Sequence, residues 1–290
     1  MDRRRLLALA LLAAAFPGAG AERFGEGVLW RVSRPGSAPS HLFGTLHMPE
    51  SRLGPLPTAV ARAFGGAASL TLEFLPDAFG KTRFLDAALF HDERTLEALI
   101  GAEDFARALE RLKPLGLAPE FVNKLKPWGV LLNLRDALPA EGITPDARLA
   151  ALARARRLPL HEMEGIEEQV FTFDELPMES QVALLKHSLA HYEELSAMAE
   201  RTRRAYLARD LAALWRLQQE FAARYPEIAD HQARLVKRVV QDRNVVMAYR
   251  MQRQLRAGRA FVAFGALHLY GGQGVLALLE QESYRVTRIY

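Results

Sequence analysis

Residues 260–268 read AFVAFGALH, a nearly unbroken apolar run that closes on a histidine. A run this short and this uniformly apolar reads as a central strand buried on both faces, the kind found in parallel sheets. Near the other end of the chain, residues 41–47 read HLFGTLH and follow the same plan. Both segments finish on Gly-x-x-His, Gly44 to His47 and Gly265 to His268. The pattern therefore predicts two strands from opposite ends of the chain, each ending at a histidine.

Further elements extend outward from these two. Residues 28–33 alternate as a strand, and Pro35-Gly36-Ser37 supplies a turn, so 28–33 and 41–47 form a hairpin. Residues 68–74 (ASLTLEF) predict a strand closing at Glu73, 158–164 (LPLHEME) a short strand and 284–290 a last one. Residues 57–64 predict a short helix. Between the strands, residues 79–90, 95–115 and 119–134 carry apolar positions at helical spacing. Thr144 reads as an N-cap with Pro145 in the first turn of a helix reaching about residue 157. Residues 167–221 are almost wholly helical. Residues 230–255 predict one long amphipathic helix capped by Asp230. After a turn at 271–274, residues 275–281 form a helix. The fold class is α/β: a central mixed β-sheet built from both chain ends, with a large helical insertion at roughly 79–157 and 167–255 packed over one edge.

The chain has 290 residues, half of them apolar and a quarter charged, which is enough for a real core. The net charge is +4, and Arg and Glu are mixed along the helices without a basic stripe, so no nucleic-acid partner is expected. Cysteine is absent, which excludes disulfides, thiol catalysis and zinc–thiolate sites. Any metal must be held by His, Asp or Glu.

Residues 1–21 read MDRRRLLALALLAAAFPGAGA. Three arginines, an apolar stretch at 6–16, a Pro-Gly break and Ala19-Gly20-Ala21 make the pattern of a secretory signal cut between Ala21 and Glu22. The domain would then span 22–290 and work in the periplasm or outside the cell. The arginines also loosely match a twin-arginine signal. No later stretch has the run of about eighteen apolar residues that a transmembrane helix needs.

Ligands of open α/β sheets bind where strands reach their carboxyl ends. Histidines there, on neighbouring strands, bring two imidazoles together and begin a metal site. Glu73 would reach the same edge, as a third ligand or as the base that activates a bound water. His187 and His191 also stand four apart on a predicted helix. Ser188 follows the first, where the zinc-protease pattern requires glutamate, so this pair reads as an exposed or interhelical face.

The chain resembles the TraB/GumN family, whose animal relatives include the Tiki proteins. The resemblance rests on LFGTLHMP around His47, LTLEF at Glu73, and FVAFGALHLYGGQGVLALL around His268. It extends to residues 163–169, where Gly165 replaces a threonine of the family's Leu-Glu-Thr-x-x-Glu-Gln, and to 242–247, where Asp242 replaces the glutamate of Glu-Arg-Asn-x-x-Met. The resemblance implies an α/β fold and Tiki-like, metal-dependent hydrolysis of peptide bonds in a peptide or protein substrate. His47, His268 and Glu73 would be metal ligands, Glu73 and Arg243 catalytic, and Glu164 and Asn244 cleft residues. Arg243 could neutralise an oxyanion or a substrate carboxylate. The divalent ion would be manganese or cobalt, with zinc a further candidate. Gly165 removes a hydroxyl from the cleft. A second reading keeps the same crevice for a non-catalytic, haem- or metal-binding accessory protein.

Overall fold

The computed structural model describes residues 23–75, 78–136 and 142–290. The signal segment expected at 1–21 lies outside the described residues. No helix among the described residues is long and apolar enough to cross a membrane.

Six strands form one sheet in the order β4-β3-β5-β2-β1-β6. They are β1 Leu29–Ser33, β2 Ser40–Thr45, β3 Ser69–Leu72, β4 Leu160–Glu162, β5 Ala260–Gly265 and β6 Arg285–Arg288. β1 and β2 pair as the expected antiparallel hairpin, with Leu29 opposite Phe43. β6 pairs antiparallel with β1. β2, β5, β3 and β4 run parallel to one another. The sheet is therefore mixed, and β5, which comes late in the chain, wedges between β2 and β3. Its position explains its composition: residues 260–264 are buried on both faces, so neither face tolerates a polar side chain.

Helices at Thr58–Gly65 and Pro145–Ala155 and the segment 242–255 pack apolar residues on the sheet, among them Val60, Leu149, Met247 and Leu255. A second core lies away from the strands. There Leu96, Leu112, Leu125, Trp128 and Leu185 close around one another. Thr144 caps its helix as expected, accepting a hydrogen bond from the Ala147 amide at 3.3 Å.

Several expectations are corrected. The helix expected at 95–115 breaks at Gly101, whose φ of 88° a side chain would strain, into Leu96–Ile100 and Ala102–Leu112. The helix expected at 230–255 begins one residue earlier, at Ala229, so Asp230 lies in its first turn and Ile228 is the cap. It then widens into a π-helical turn at Lys237–Gln241 before continuing as Asp242–Arg250. Both strands expected to end on histidine stop short: β2 at Thr45 and β5 at Gly265. β3 stops at Leu72, so Glu73 follows the strand instead of closing it.

Candidate active site

Because four adjacent strands are parallel, their carboxyl ends share one edge. His47 follows β2, Glu73 follows β3, Glu164 follows β4, and His268 sits in a 3-10 turn, Ala266–Leu269, after β5. Arg243 and Asn244 arrive from the first turn of helix Asp242–Arg250, directly after the π-helical turn. Such widened turns re-aim side chains and recur at functional sites. Met247 of the same stretch is fully buried in the sheet core and anchors the helix there.

The two motif glycines have different jobs. A Cβ on Gly44 would lie 2.6 Å from Leu269 Cδ1 and 2.9 Å from Ala266 Cα. Gly44 therefore admits the turn that carries His268. A Cβ on Gly265 would press on His268 Cδ2 at 3.3 Å and stand 3.8 Å from both His268 Nε2 and Glu73 Oε2. Gly265 leaves open the space that these two side chains border. Each Gly-x-x-His spacing thus serves the pairing of both motifs.

Glu73 is buried, and its charge is held by specific partners. Arg243 Nη2 donates to Glu73 Oε1, and the Gly265 amide donates to Oε2 at 3.2 Å. Burial alone would raise the carboxyl pKa, but Arg243, His268 and His47 together outweigh it and bring it down to about 2. Arg243 also grips Glu164, with Nε 2.9 Å from Oε1 and Nη2 2.6 Å from Oε2, while its Nη1 donates to the Val239 carbonyl at 3.0 Å. Gln169 donates a further hydrogen bond to Glu164 Oε2. Burial raises the Glu164 carboxyl above its usual range, with Arg243 opposing. One guanidinium thus bridges two buried acidic side chains. The Glu164 to Gln169 spacing quoted from the sequence is this hydrogen bond.

His268 is the most enclosed member. Its Nδ1 lies 2.7 Å from Asn244 Oδ1. The Asn244 amide donates through Nδ2 to the Gln273 carbonyl at 2.9 Å. That second bond orients the amide so that its oxygen faces the ring. Nδ1 therefore carries the proton, and Nε2 presents a lone pair. Burial lowers the His268 pKa to about 4, with Arg243 and His47 adding to the shift and Glu73 opposing it. The imidazole is neutral at pH 7.

His47 stands opposite, with Nε2 3.9 Å from Glu73 Oε2. Its Nδ1 is 3.4 Å from Asp146 Oδ2, and Thr45 Oγ1 donates to Asp146 Oδ1 at 3.0 Å. Asp146 is a member that sequence reasoning missed. It follows Thr144-Pro145, where an acid is ordinary support for a helix start, so nothing local set it apart. The site brings together all six of His47, Glu73, Glu164, Arg243, Asn244 and His268. Gly165 opens helix Ile166–Asp174, and a Cβ there would meet open space.

The donor chemistry suits a divalent ion: one neutral imidazole, a second imidazole and an ionised carboxylate. The spacing is more open than a closed shell. Among the described residues no three His, Asp or Glu side chains converge as a metal-binding group. A tetrahedral shell with bonds near 2.1 Å sets neighbouring donors about 3.4 Å apart, whereas His47 Nε2 and Glu73 Oε2 are 3.9 Å apart. His47, with 46% of its side chain exposed, is the donor with room to advance.

The sequence profile of the TraB/PrgY/gumN family matches residues 28–288. The chain is 27% identical to uncharacterized protein YbaP of Shigella flexneri over 252 residues, 83% of this chain and 87% of that protein. It is 26% identical to uncharacterized protein YbaP of Escherichia coli strain K12, with the same coverage of each chain. No solved structure matches.

Proposed function

The chain belongs to the TraB/PrgY/gumN family, and from that premise we propose that it is a metal-dependent hydrolase acting at the carboxyl edge of its parallel strands, with peptide bonds of a peptide or protein as substrate. The observation that carries this reading is a buried, ionised Glu73 lying between two imidazoles from opposite ends of the chain. His47, His268 and Glu73 would hold the ion, manganese or cobalt first and zinc next. A divalent ion bound there supplies a Lewis acid and lowers the pKa of a water in its shell.

The chain's own residues prepare that edge. Asn244 holds the His268 proton on Nδ1 and leaves Nε2 as a donor, the arrangement typical of metal-ligating histidines. Glu73 keeps its charge because Arg243 and Gly265 hold its oxygens. A carboxyl near pKa 2 is a poor proton acceptor at pH 7, so its chemistry favours the ligand role over that of general base. Arg243 acts through the carboxylates: its Nε and Nη2 face Glu73 and Glu164. The geometry thus supports a positioning role for Arg243. Export through residues 1–21 would place this activity in the periplasm or outside the cell.

The test is hydrolysis of a peptide mixture by residues 22–290, after chelation and after adding back manganese, cobalt or zinc. Cleavage that depends on metal and vanishes in His47→Ala and His268→Ala supports the reading. Normal turnover in either variant overturns it.

A further inference from the structure

The two site histidines are held in parallel ways. His268 turns its Nδ1 to the oxygen of Asn244 and its Nε2 to the side where Glu73 Oε2 lies. His47 turns its Nδ1 to Asp146 Oδ2, at 3.4 Å, and its Nε2 to Glu73 Oε2. We infer that Asp146 is a positioning residue that holds His47 in the Nδ1–H form and aims its Nε2 at Glu73. The inference rests on the hydrolase reading for its purpose but not for its geometry.

Asp146 is itself well fixed. It sits in the first turn of Pro145–Ala155, a helix whose Leu149, Ala150 and Ala153 are fully buried in the sheet core. Its Oδ1 accepts the hydroxyl of Thr45, a buried residue that ends β2. Its Oδ2 is buried and accepts no hydrogen bond among the described residues. A buried carboxylate oxygen without a donor costs stability. The His47 ring nitrogen at 3.4 Å is placed to supply that donor. The ring is half-exposed, so a small rotation shortens the contact and does not disturb the core.

Thr45 and His47 belong to one chain segment, and Asp146 binds the first while facing the second. The loop after β2 is thereby tied to the helix after residue 144. An imidazole in water favours the proton on Nε2, which blocks that nitrogen as a ligand. A carboxylate behind a ligating histidine both selects the tautomer and raises the basicity of the other nitrogen.

Two-bond proton–nitrogen correlation spectra of metal-free protein, residues 22–290, labelled with 15N-histidine, test this directly. The His47 signal is identified by its loss in His47→Gln. At neutral pH the wild type should show His47 protonated on Nδ1, and Asp146→Ala should return it to the Nε2–H form. Asp146→Asn, which keeps an accepting oxygen and a similar shape, should retain the wild-type tautomer. A wild-type His47 already in the Nε2–H form overturns the inference without any variant, as does an Asp146→Ala spectrum unchanged from wild type. Cobalt titration separates this from the hydrolase reading. Asp146→Ala should lose roughly 10- to 100-fold in cobalt affinity, whereas Asp146→Asn, which still accepts the Thr45 hydroxyl, should stay near wild type. Equal cobalt affinity in wild type and Asp146→Ala counts against the inference. A wild type that binds no cobalt, manganese or zinc overturns the metal reading, and the spectrum alone then decides the role of Asp146.

Discussion

The molecule contains two pairs of neighbouring histidines, and they are built in opposite ways. His187 and His191 lie on adjacent turns, with rings stacked 4.4 Å apart. Around them stand Phe221 and Tyr225, with Glu194 and Glu227 beside the rings. His187 is buried between helices, so the pair forms an interhelical face, and its Nε2 has no hydrogen-bond partner among the described residues. His47 and His268 come from the two ends of the chain, face a buried carboxylate and each have a polar side chain behind Nδ1. Closeness of two imidazoles is thus cheap to achieve on one helix and by itself gives no chemistry. The sheet pair differs in having a fixed charge between the rings and fixed protons behind them.

The largest expected effect separates the pairs by function. His268→Ala should abolish metal-dependent hydrolysis, a loss of at least about 100-fold, while His187→Ala should leave kcat/KM within about twofold of wild type. Equal losses in both would break the comparison. The next effect concerns the charge that only the sheet pair has. Arg243→Met leaves Glu73 and Glu164 buried without their cation and should cost about 3–5 kcal/mol in urea unfolding. A loss under about 1 kcal/mol would mean that the carboxylates are solvated.

Acid should act on both pairs, with a known sign at the sheet. The folded pKa of His268, about 4, lies below its ordinary value of 6.5. At His268 the unfolded chain therefore binds more protons between these values, and this residue's contribution to stability rises with pH across that window, by about 3 kcal/mol at most. Glu164, whose carboxyl is raised, contributes with the opposite sign above its unfolded value. Glu73 adds a second loss below the His268 window. Its carboxyl is lowered from 4.5 to about 2, so its contribution is present above the unfolded value and disappears as pH falls toward 2. Burial also lowers His187, with His191 adding to the shift, so its contribution has the same sign. Urea unfolding of wild type and His187→Phe from pH 7 to 4 separates the two. Most of the slope should survive the substitution. A slope that vanishes in His187→Phe would assign the acid sensitivity to the helical pair.

A smaller effect tests the glycine that lets the two motifs meet. Gly44→Ala puts a methyl against Leu269 and the Ala266 backbone and should cost about 1–3 kcal/mol. Gly165→Ala enters open space and should change stability by less than about 0.5 kcal/mol. Thermal unfolding of the two variants checks the order.

The same contrast explains what could be read from the chain itself. AFVAFGALH and HLFGTLH announced buried strands because burial on both faces removes polar residues, and their pairing followed from matched context. His187 and His191 were separable because a required neighbour was missing. The details that complete the site were not legible. The π-helical turn that aims Arg243 and Asn244 shifts the apolar phase by only about one residue, too small an offset to read from the apolar spacing. The turn that carries His268 past β5 depends on the space left by Gly44, on another strand. Asp146 reads locally as helix support, and only the tertiary fold places it behind His47.

We propose that the sheet pair, and not the helical pair, holds a divalent ion. Elemental analysis of residues 22–290, loaded with manganese and desalted, tests it most directly. Stoichiometric metal is expected in wild type and in His187→Ala, and roughly a tenth or less in His268→Ala. Metal retained equally by all three proteins, or by none, would contradict it.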